Sequence, residues 1–182
     1  MMSYEQYLQT RDVSLEDFGA YFENFKQSAF RLEMLPEYDV EEEVEALAAF
    51  HAGRPTPDGF NSEWHAIVTS AAERGAKLSR IRCYKEVSDY LKFEIERGYP
   101  GNIKLGETIR YVPTAEARSV SETLGLTFLL DFWMFDGSVV FLMHYDCFGR
   151  FLGVRQTDES LVPAFITLSE RLVAASSEEL PG

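Results

Sequence analysis

The stretch DFWMFDGSVVFLMHYDCFGR, residues 131–150, interrupts two long apolar runs with a single Asp136-Gly137 step. A tight two-residue turn needs positive φ at both central positions, which Asp-Gly tolerates, so the stretch is expected to fold as a β-hairpin. Such a loop sets Phe135 opposite Ser138, Trp133 opposite Val140 and Asp131 opposite Leu142. Facing residues share one side of a sheet. One side then collects Phe128, Leu130, Phe132, Met134, Val139, Phe141, Met143 and Tyr145 and must be core. The other carries Leu129, Asp131, Trp133, Phe135, Val140, Leu142 and His144.

A hairpin apolar on both sides belongs inside a layered α/β sheet, where an ionised Asp131 is costly unless paired. In this register His144 is its diagonal neighbour and its expected partner. The pair is either a buried tie that fixes register or an acid and base lining a pocket walled by Trp133. Asp136 is expected to supply the turn rather than chemistry.

Upstream, the periodicity alternates between helix and strand. Ser14, with Asp17 three residues on, opens a helix whose Leu15, Phe18, Tyr21, Phe22 and Phe25 recur at helical spacing. Phe30, Leu32 and Met34 alternate with polar positions up to Pro36, as in a half-buried strand. Two helices follow, one with Val40, Val44, Leu47 and Ala48 on a stripe and Gly53 past its end, the other capped by Asn61 and carrying Trp64, Ile67, Val68 and Ala71. KLSRIRCYK reads as a strand, Ser88 caps a short helix ending near Gly98, and ETIRYVP reads as the next strand. Consecutive strands then run to about residue 155, and DESLVPAFITLSERLVAA closes the chain as a helix.

Strand–helix alternation implies parallel pairing with right-handed crossovers, and the later run of strands implies antiparallel hairpins. The expected fold is a single α/β domain over residues 1–182, with residues 1–12 and 176–182 as flexible ends. Its mixed sheet of about six strands is parallel through 28–34, 77–84 and 108–112 and antiparallel through 127–155, with helices on both faces and a crevice near the strand ends.

The net charge of −13 opposes attraction to phosphate backbones and anionic lipid, so direct nucleic-acid and membrane binding are not expected. Residues 74–118 hold ten basic groups against six acids, a net of +4, which leaves −17 on the rest. No apolar run approaches the roughly 18 residues of a membrane span, and no basic region precedes a hydrophobic stretch at the N-terminus. A cytoplasmic protein is expected. Cys83 and Cys147 stand in no paired spacing, so no disulfide is expected and Cys83 reads as an inert buried thiol.

The basic middle supplies the other constellation. Arg80, Arg82 and Tyr84 share a strand face, where they either grip an anion or form salt bridges with neighbours such as Glu86 or Glu107. His144, Asp146 and Cys147 lie close together, but with three histidines in the chain and no second ligand cluster no metal is expected. There is no phosphate-binding glycine loop and no nucleophile-elbow serine, so neither a cofactor nor a committed catalytic residue emerges. His51 and His65 read as ordinary helix residues.

The blocks FRLEMLPEYDVEEEVEALAAFHAG, RIRCYKEVSDYLKFEI and NIKLGETIRYVP, and above all DFWMFD followed by GSVVFLMHYDCFGR, resemble an uncharacterised actinobacterial family of Streptomyces-type bacteria over about residues 15–175. The resemblance implies a regulatory or partner-binding role, because members are often encoded beside helix-turn-helix regulators. Such a regulator, or another basic protein, is the partner it implies for an acidic surface. The hairpin also resembles, more weakly, the phospholipase D-like fold, whose strand-turn-strand unit carries His-x-Lys-x4-Asp. With Asp136 on that aspartate, Leu129 and Asp131 stand where the histidine and lysine should be, which argues against phosphodiester hydrolysis. The competing class is a small-molecule enzyme or ligand sensor, with Asp131 and His144 as acid and base, Trp133 as a wall and Arg80, Arg82 and Tyr84 as an anion grip.

Overall fold

The structure, a computed structural model, describes residues 10–126 and 129–180. Ser14 caps α1 (Leu15–Asn24) as the sequence implies, its hydroxyl accepting from the Asp17 amide. The parallel strands are β2 (Ser28–Glu33), β3 (Lys77–Tyr84) and β4 (Glu107–Pro113), paired in that order. A 3₁₀ turn at Glu41–Glu43, α2 (Val44–His51) and α3 (Ser62–Glu73) make the first crossover. Asn61 stands at the start of α3 in a left-handed conformation (φ 60°), and its side chain makes no cap bond, contrary to the expected capping role.

The second crossover is longer than its pattern suggests. Ser88 caps α4 (Asp89–Phe93) through the Leu91 amide, but the helix does not stop at Gly98. It widens into a π turn, Glu94–Gly98, and continues as α5 (Tyr99–Leu105). Pro100 has no amide to donate, and entering just after a wide turn lets it sit in the first turn of α5 without breaking a helical bond. A helix absent from the expectations, α6 (Thr114–Thr123), follows β4 and buries Ala117 and Ser121.

The hairpin strands β5 (Phe132–Phe135) and β6 (Val139–Tyr145) pair antiparallel, followed by β7 (Phe151–Gln156) and α7 (Val162–Ala175). A seventh strand, β1 (Arg11–Val13), pairs with β7 at the sheet edge, so residues 11 and 12 of the expected loose end join the sheet. At the other end, Ser177 exchanges backbone hydrogen bonds with Tyr111 at 2.7 and 2.9 Å. Residues 1–9, 181–182 and Phe128, expected on the hairpin's core side, lie outside the described residues. The order β1-β7-β6-β5-β2-β3-β4 confirms a single mixed α/β sheet, parallel on one side of β2 and antiparallel on the other.

The turn itself is the one the dipeptide dictates, with φ 52° at Asp136, 58° at Gly137 and the Ser138 amide donating to Phe135 O at 3.0 Å. The pairing beyond it slips by one. Phe135 faces Val139, Trp133 faces Phe141 and Phe132 faces Leu142, so Ser138 belongs to the loop. A one-residue slip moves each side chain to the opposite face relative to its partner strand. Trp133, Phe135, Val139, Phe141 and Met143 consequently pack with Phe18 of α1 and with Val68 and Ala71 of α3. Phe132, Met134, Val140 and Leu142 pack on the other side with Ala117 of α6 and with Phe165, Leu168 and Leu172 of α7.

Asp136 does more than turn the chain. Its carboxylate accepts from the amides of Lys26, Gln27 and Ser28 at 2.7–3.1 Å, fastening the hairpin tip to the entry of β2. Burial opposes ionisation, but donation from Lys26, Ser28 and Gln27 holds the carboxyl below the usual range. Asp136→Ala is expected to cost about 2–3 kcal/mol, read by urea denaturation, because three amides lose a charged acceptor and alanine tolerates the left-handed conformation less well than aspartate. Asp136→Asn retains part of the loss-free geometry and should cost less.

Candidate functional site

Strand alternation puts Arg31 and Glu33 of β2, Arg80 and Arg82 of β3, and Glu107 of β4 on the sheet face shared with Trp133. Asp131, just before β5, joins them. Arg31, Glu33, Arg82, Glu107 and Asp131 are all buried, and the Arg80 side chain is 12% exposed. Three guanidiniums therefore meet three carboxylates under the helices. Arg80 spans two of them, donating to Glu33 at 2.7 Å and Glu107 at 2.8 Å. Arg31 donates to Asp131 at 3.2 Å and to the Tyr145 hydroxyl at 2.8 Å. Arg82 donates to Pro36 O at 3.0 Å and lies over the Tyr38 and Tyr90 rings. Isolated charges in such surroundings would cost several kcal/mol each; pairing is what permits Arg31 and Arg80, whereas among the described residues Arg82 meets no carboxylate within 4 Å and keeps Nε and Nη1 without a hydrogen-bond partner.

The expected contact between Asp131 and His144 is absent, and the register slip is the reason. Asp131 accepts from Arg31, from the Met34 amide at 2.9 Å and from the Tyr38 hydroxyl. His144 points to the opposite face, where burial and then Arg155 lower its pKa. Asp131 and His144 therefore do not form the expected acid and base pair. The salt-bridge alternative for Arg80 holds, with Glu107 as the neighbour. Arg82 and Tyr84 instead line a separate cleft beside Cys83, so the three residues of the expected anion grip do not open into one pocket. Trp133 is buried behind the site, tilted against Trp64 at 5.7 Å and beneath Arg31 at 5.5 Å. Cys83 is buried with its thiol pushed up by burial, and Cys147 is exposed; both are free. Among the described residues no group of three or more His, Cys, Asp and Glu could hold a metal ion.

Above the ion network lies a cavity of about 710 Å³. Arg31, Glu33 and Arg80 form its floor, Trp64 and Asn61 of the α3 region one wall, and Tyr90, Glu94, Tyr99 and Asn102 of the α4–α5 segment another. The 3₁₀ turn brings Glu43 to its edge. It sits near the C-terminal end of β2, where the sheet changes from parallel to antiparallel, the position expected for a crevice. Trp64 is fixed by donating its indole N–H to Glu107 at 2.9 Å. The Glu94 carboxylate is seated over Gly98, where an added β-carbon would come within 2.9 Å of Oε2.

Several polar atoms here lack a partner within the protein. Arg31 Nη1, Glu94 Oε1 and Asn102 Oδ1 are buried without hydrogen bonds, and all three residues line the cavity. Buried polar atoms are satisfied in the great majority of cases, so three such atoms around one space are a signature of a site. Electrostatics adds a second. Glu33 is held below the ordinary carboxylate range: burial raises it, but Arg80, Arg31 and Arg82 outweigh that. Glu94 is pushed up to about 8 by burial and by the nearby Glu43, which is itself raised chiefly by burial.

Sequence reasoning placed Arg80 here but missed Arg31, Glu33, Glu94 and Asn102, and read Trp64 only as part of an apolar helix face. The available signal was the alternation itself, since three neighbouring strands each carry charges on one face. A family model described as Domain of unknown function (DUF6879) matches residues 16–179. No curated protein matches the chain.

Proposed function

The chain belongs to the family described as Domain of unknown function (DUF6879), and from that premise we propose that it is a regulatory protein that binds a small polar metabolite in the cavity above the ion network. The observation that carries this is the convergence of Arg31 Nη1, Glu94 Oε1 and Asn102 Oδ1, buried and unpartnered, on one cavity of ligand size. The ion network's role is to hold a polar floor rigid before the ligand arrives. Catalysis is no part of the reading, because Asp131 is spent on Arg31, Tyr38 and Met34, and Leu129 and Asp131 replace the histidine and lysine of the phosphodiesterase motif. A cytoplasmic site of action in an actinobacterial cell belongs to the same proposal and rests on the resemblance of the sequence blocks. No helix among the described residues is long and apolar enough to cross a membrane.

A thermal-shift screen against a metabolite library tests it. A ligand at 100 times its Kd stabilises by about 2.7 kcal/mol, so one chemical class is expected to raise Tm by roughly 5–10 °C. A library with no such class would count against the proposal.

A second reading rests on charge. The −17 outside residues 74–118 would let the protein dock a basic partner such as a helix-turn-helix regulator, competing with DNA for the partner's basic face. Complex formation in a native-host pull-down is then expected to weaken markedly between 50 and 300 mM salt, that is, roughly as the screening length falls toward 6 Å. Association insensitive to salt would remove it.

A further inference from the structure

The ion network on the cavity floor is balanced, three guanidiniums against three carboxylates, but the α4–α5 wall is not. It adds Glu94, 7% exposed, and Asn102, 3% exposed, each with an acceptor oxygen that meets no donor. Among the described residues Glu43 accepts a side-chain hydrogen bond only from the Tyr90 hydroxyl, at 2.6 Å. We propose that this wall is an ammonium subsite: Glu43, Glu94 and Asn102 receive the nitrogen of a small primary amine that also carries an oxygen acceptor, such as an amino acid or amino alcohol. This rests on the cavity being a ligand site and names its ligand class.

The chemistry matches in three respects. A primary ammonium has three N–H donors and no acceptor, and the wall offers two carboxylates and an amide oxygen. Tyr90 and Trp64, aromatic rings that already hold Arg82 and Arg80 nearby, line the same cavity and are of the kind that attract cations. At the floor Arg31 Nη1 is a donor without an acceptor, a seat for the ligand's oxygen. A resident metal fits less well, since among the described residues no group of three or more His, Cys, Asp and Glu could hold one.

Without a ligand, burial and the nearby Glu43 keep Glu94 protonated near neutrality. Glu94 is surrounded by Glu43 from the 3₁₀ turn, Glu33 from β2, Arg80 and Arg82 from β3, Tyr90 from its own helix, Tyr99 from α5 and Tyr111 from β4. Arg80 is already engaged by Glu33 and Glu107, and Arg82 donates through Nη2 to Pro36 O and lies over the Tyr38 ring, its Nε and Nη1 having no hydrogen-bond partner. An arriving ammonium favours the ionised form, so binding near pH 7 releases a proton.

The test is calorimetry of the full chain with a defined panel: amino acids, ethanolamine, putrescine and the matching hydroxy compounds and carboxylic acids without nitrogen. The expected result is that amines bind, nitrogen-free analogues do not, and titrations in two buffers of different ionisation enthalpy reveal proton release. Glu94→Gln should weaken amine binding at least tenfold and abolish the proton release, with a Tm no lower than that of the wild type. Gly98→Ala, which keeps the charge but displaces the carboxylate, should also weaken binding. If nitrogen-free compounds bind and Glu94→Gln leaves their affinity unchanged, the ammonium subsite is overturned while the cavity remains a ligand site. If no compound in the panel binds, and the metabolite library also yields none, both readings fall.

Discussion

Asp131→Leu is expected to destabilise the protein by about 3–5 kcal/mol at pH 7, because it removes one partner of a buried ion pair and leaves the other charge in place. Arg31 is 4% exposed and stays cationic, since Tyr145, Asp131, Glu33 and Tyr38 outweigh the effect of burial. Without Asp131 it retains the Tyr145 hydroxyl and a 3.6 Å approach to Glu33. The Met34 amide and the Tyr38 hydroxyl lose their acceptor in the same step. Asp131→Asn keeps an oxygen for Met34 and should cost about 1–3 kcal/mol. Chemical denaturation with an unchanged m-value checks both. His144 provides the control: it lies on the other face, so Asp131→Asn and His144→Gln should be additive to within about 0.5 kcal/mol. Strong coupling between them would restore the pairing that the hairpin register excludes.

Glu94→Gln is expected to act in the opposite direction, and to do so as a function of pH. The Glu94 carboxyl is raised from the ordinary 4.5 to about 8 in the folded protein. Below about 4.5 both folded and unfolded chains hold the proton. Between there and about 8 the folded chain holds it and the unfolded chain does not, so stability falls as pH rises through this window. Glutamine imitates the protonated acid at every pH and frees Glu43 to ionise without a charged neighbour. The variant and wild type should therefore have similar stability near pH 5, and the variant should be more stable at pH 9 by about 4–5 kcal/mol. Parallel Tm curves for the two proteins from pH 5 to 9 would contradict the placement of Glu94 against Glu43.

The sequence made the architecture legible where local pattern and tertiary structure agree. Ser14 and Ser88 cap the helices they were expected to cap, and β2, β3 and β4 fall within one residue of their expected bounds. Asp136-Gly137 identified the turn, but whether Ser138 pairs or joins the loop is decided by the packing of both hairpin faces. That single residue moved Asp131 away from His144 and toward Arg31. The site was hard to see for a related reason. A polar residue on a strand ordinarily marks a solvent face, so Arg31 and Glu33 read as half-buried alternation; they are buried because β3 carries Arg80 beside Arg31 and Arg82 beside Glu33. Their meaning depends on neighbours about fifty residues away in sequence, which periodicity does not report. Glu94 was hidden by the π turn, whose wide geometry follows no 3.6-residue rule.

The chain has two tryptophans, and they report on the cavity differently. Trp64 lines it and donates its indole N–H to Glu107, whereas Trp133 is buried behind it. In a ¹⁵N-labelled sample, with Trp64→Phe assigning the two indole cross-peaks, titration of any compound that raises Tm tests the central claim directly. Occupation of the cavity predicts a saturable shift of the Trp64 indole that exceeds the shift of Trp133. Stabilising compounds that leave the Trp64 resonance unmoved at saturation would show that they bind elsewhere and would contradict the cavity as the functional site.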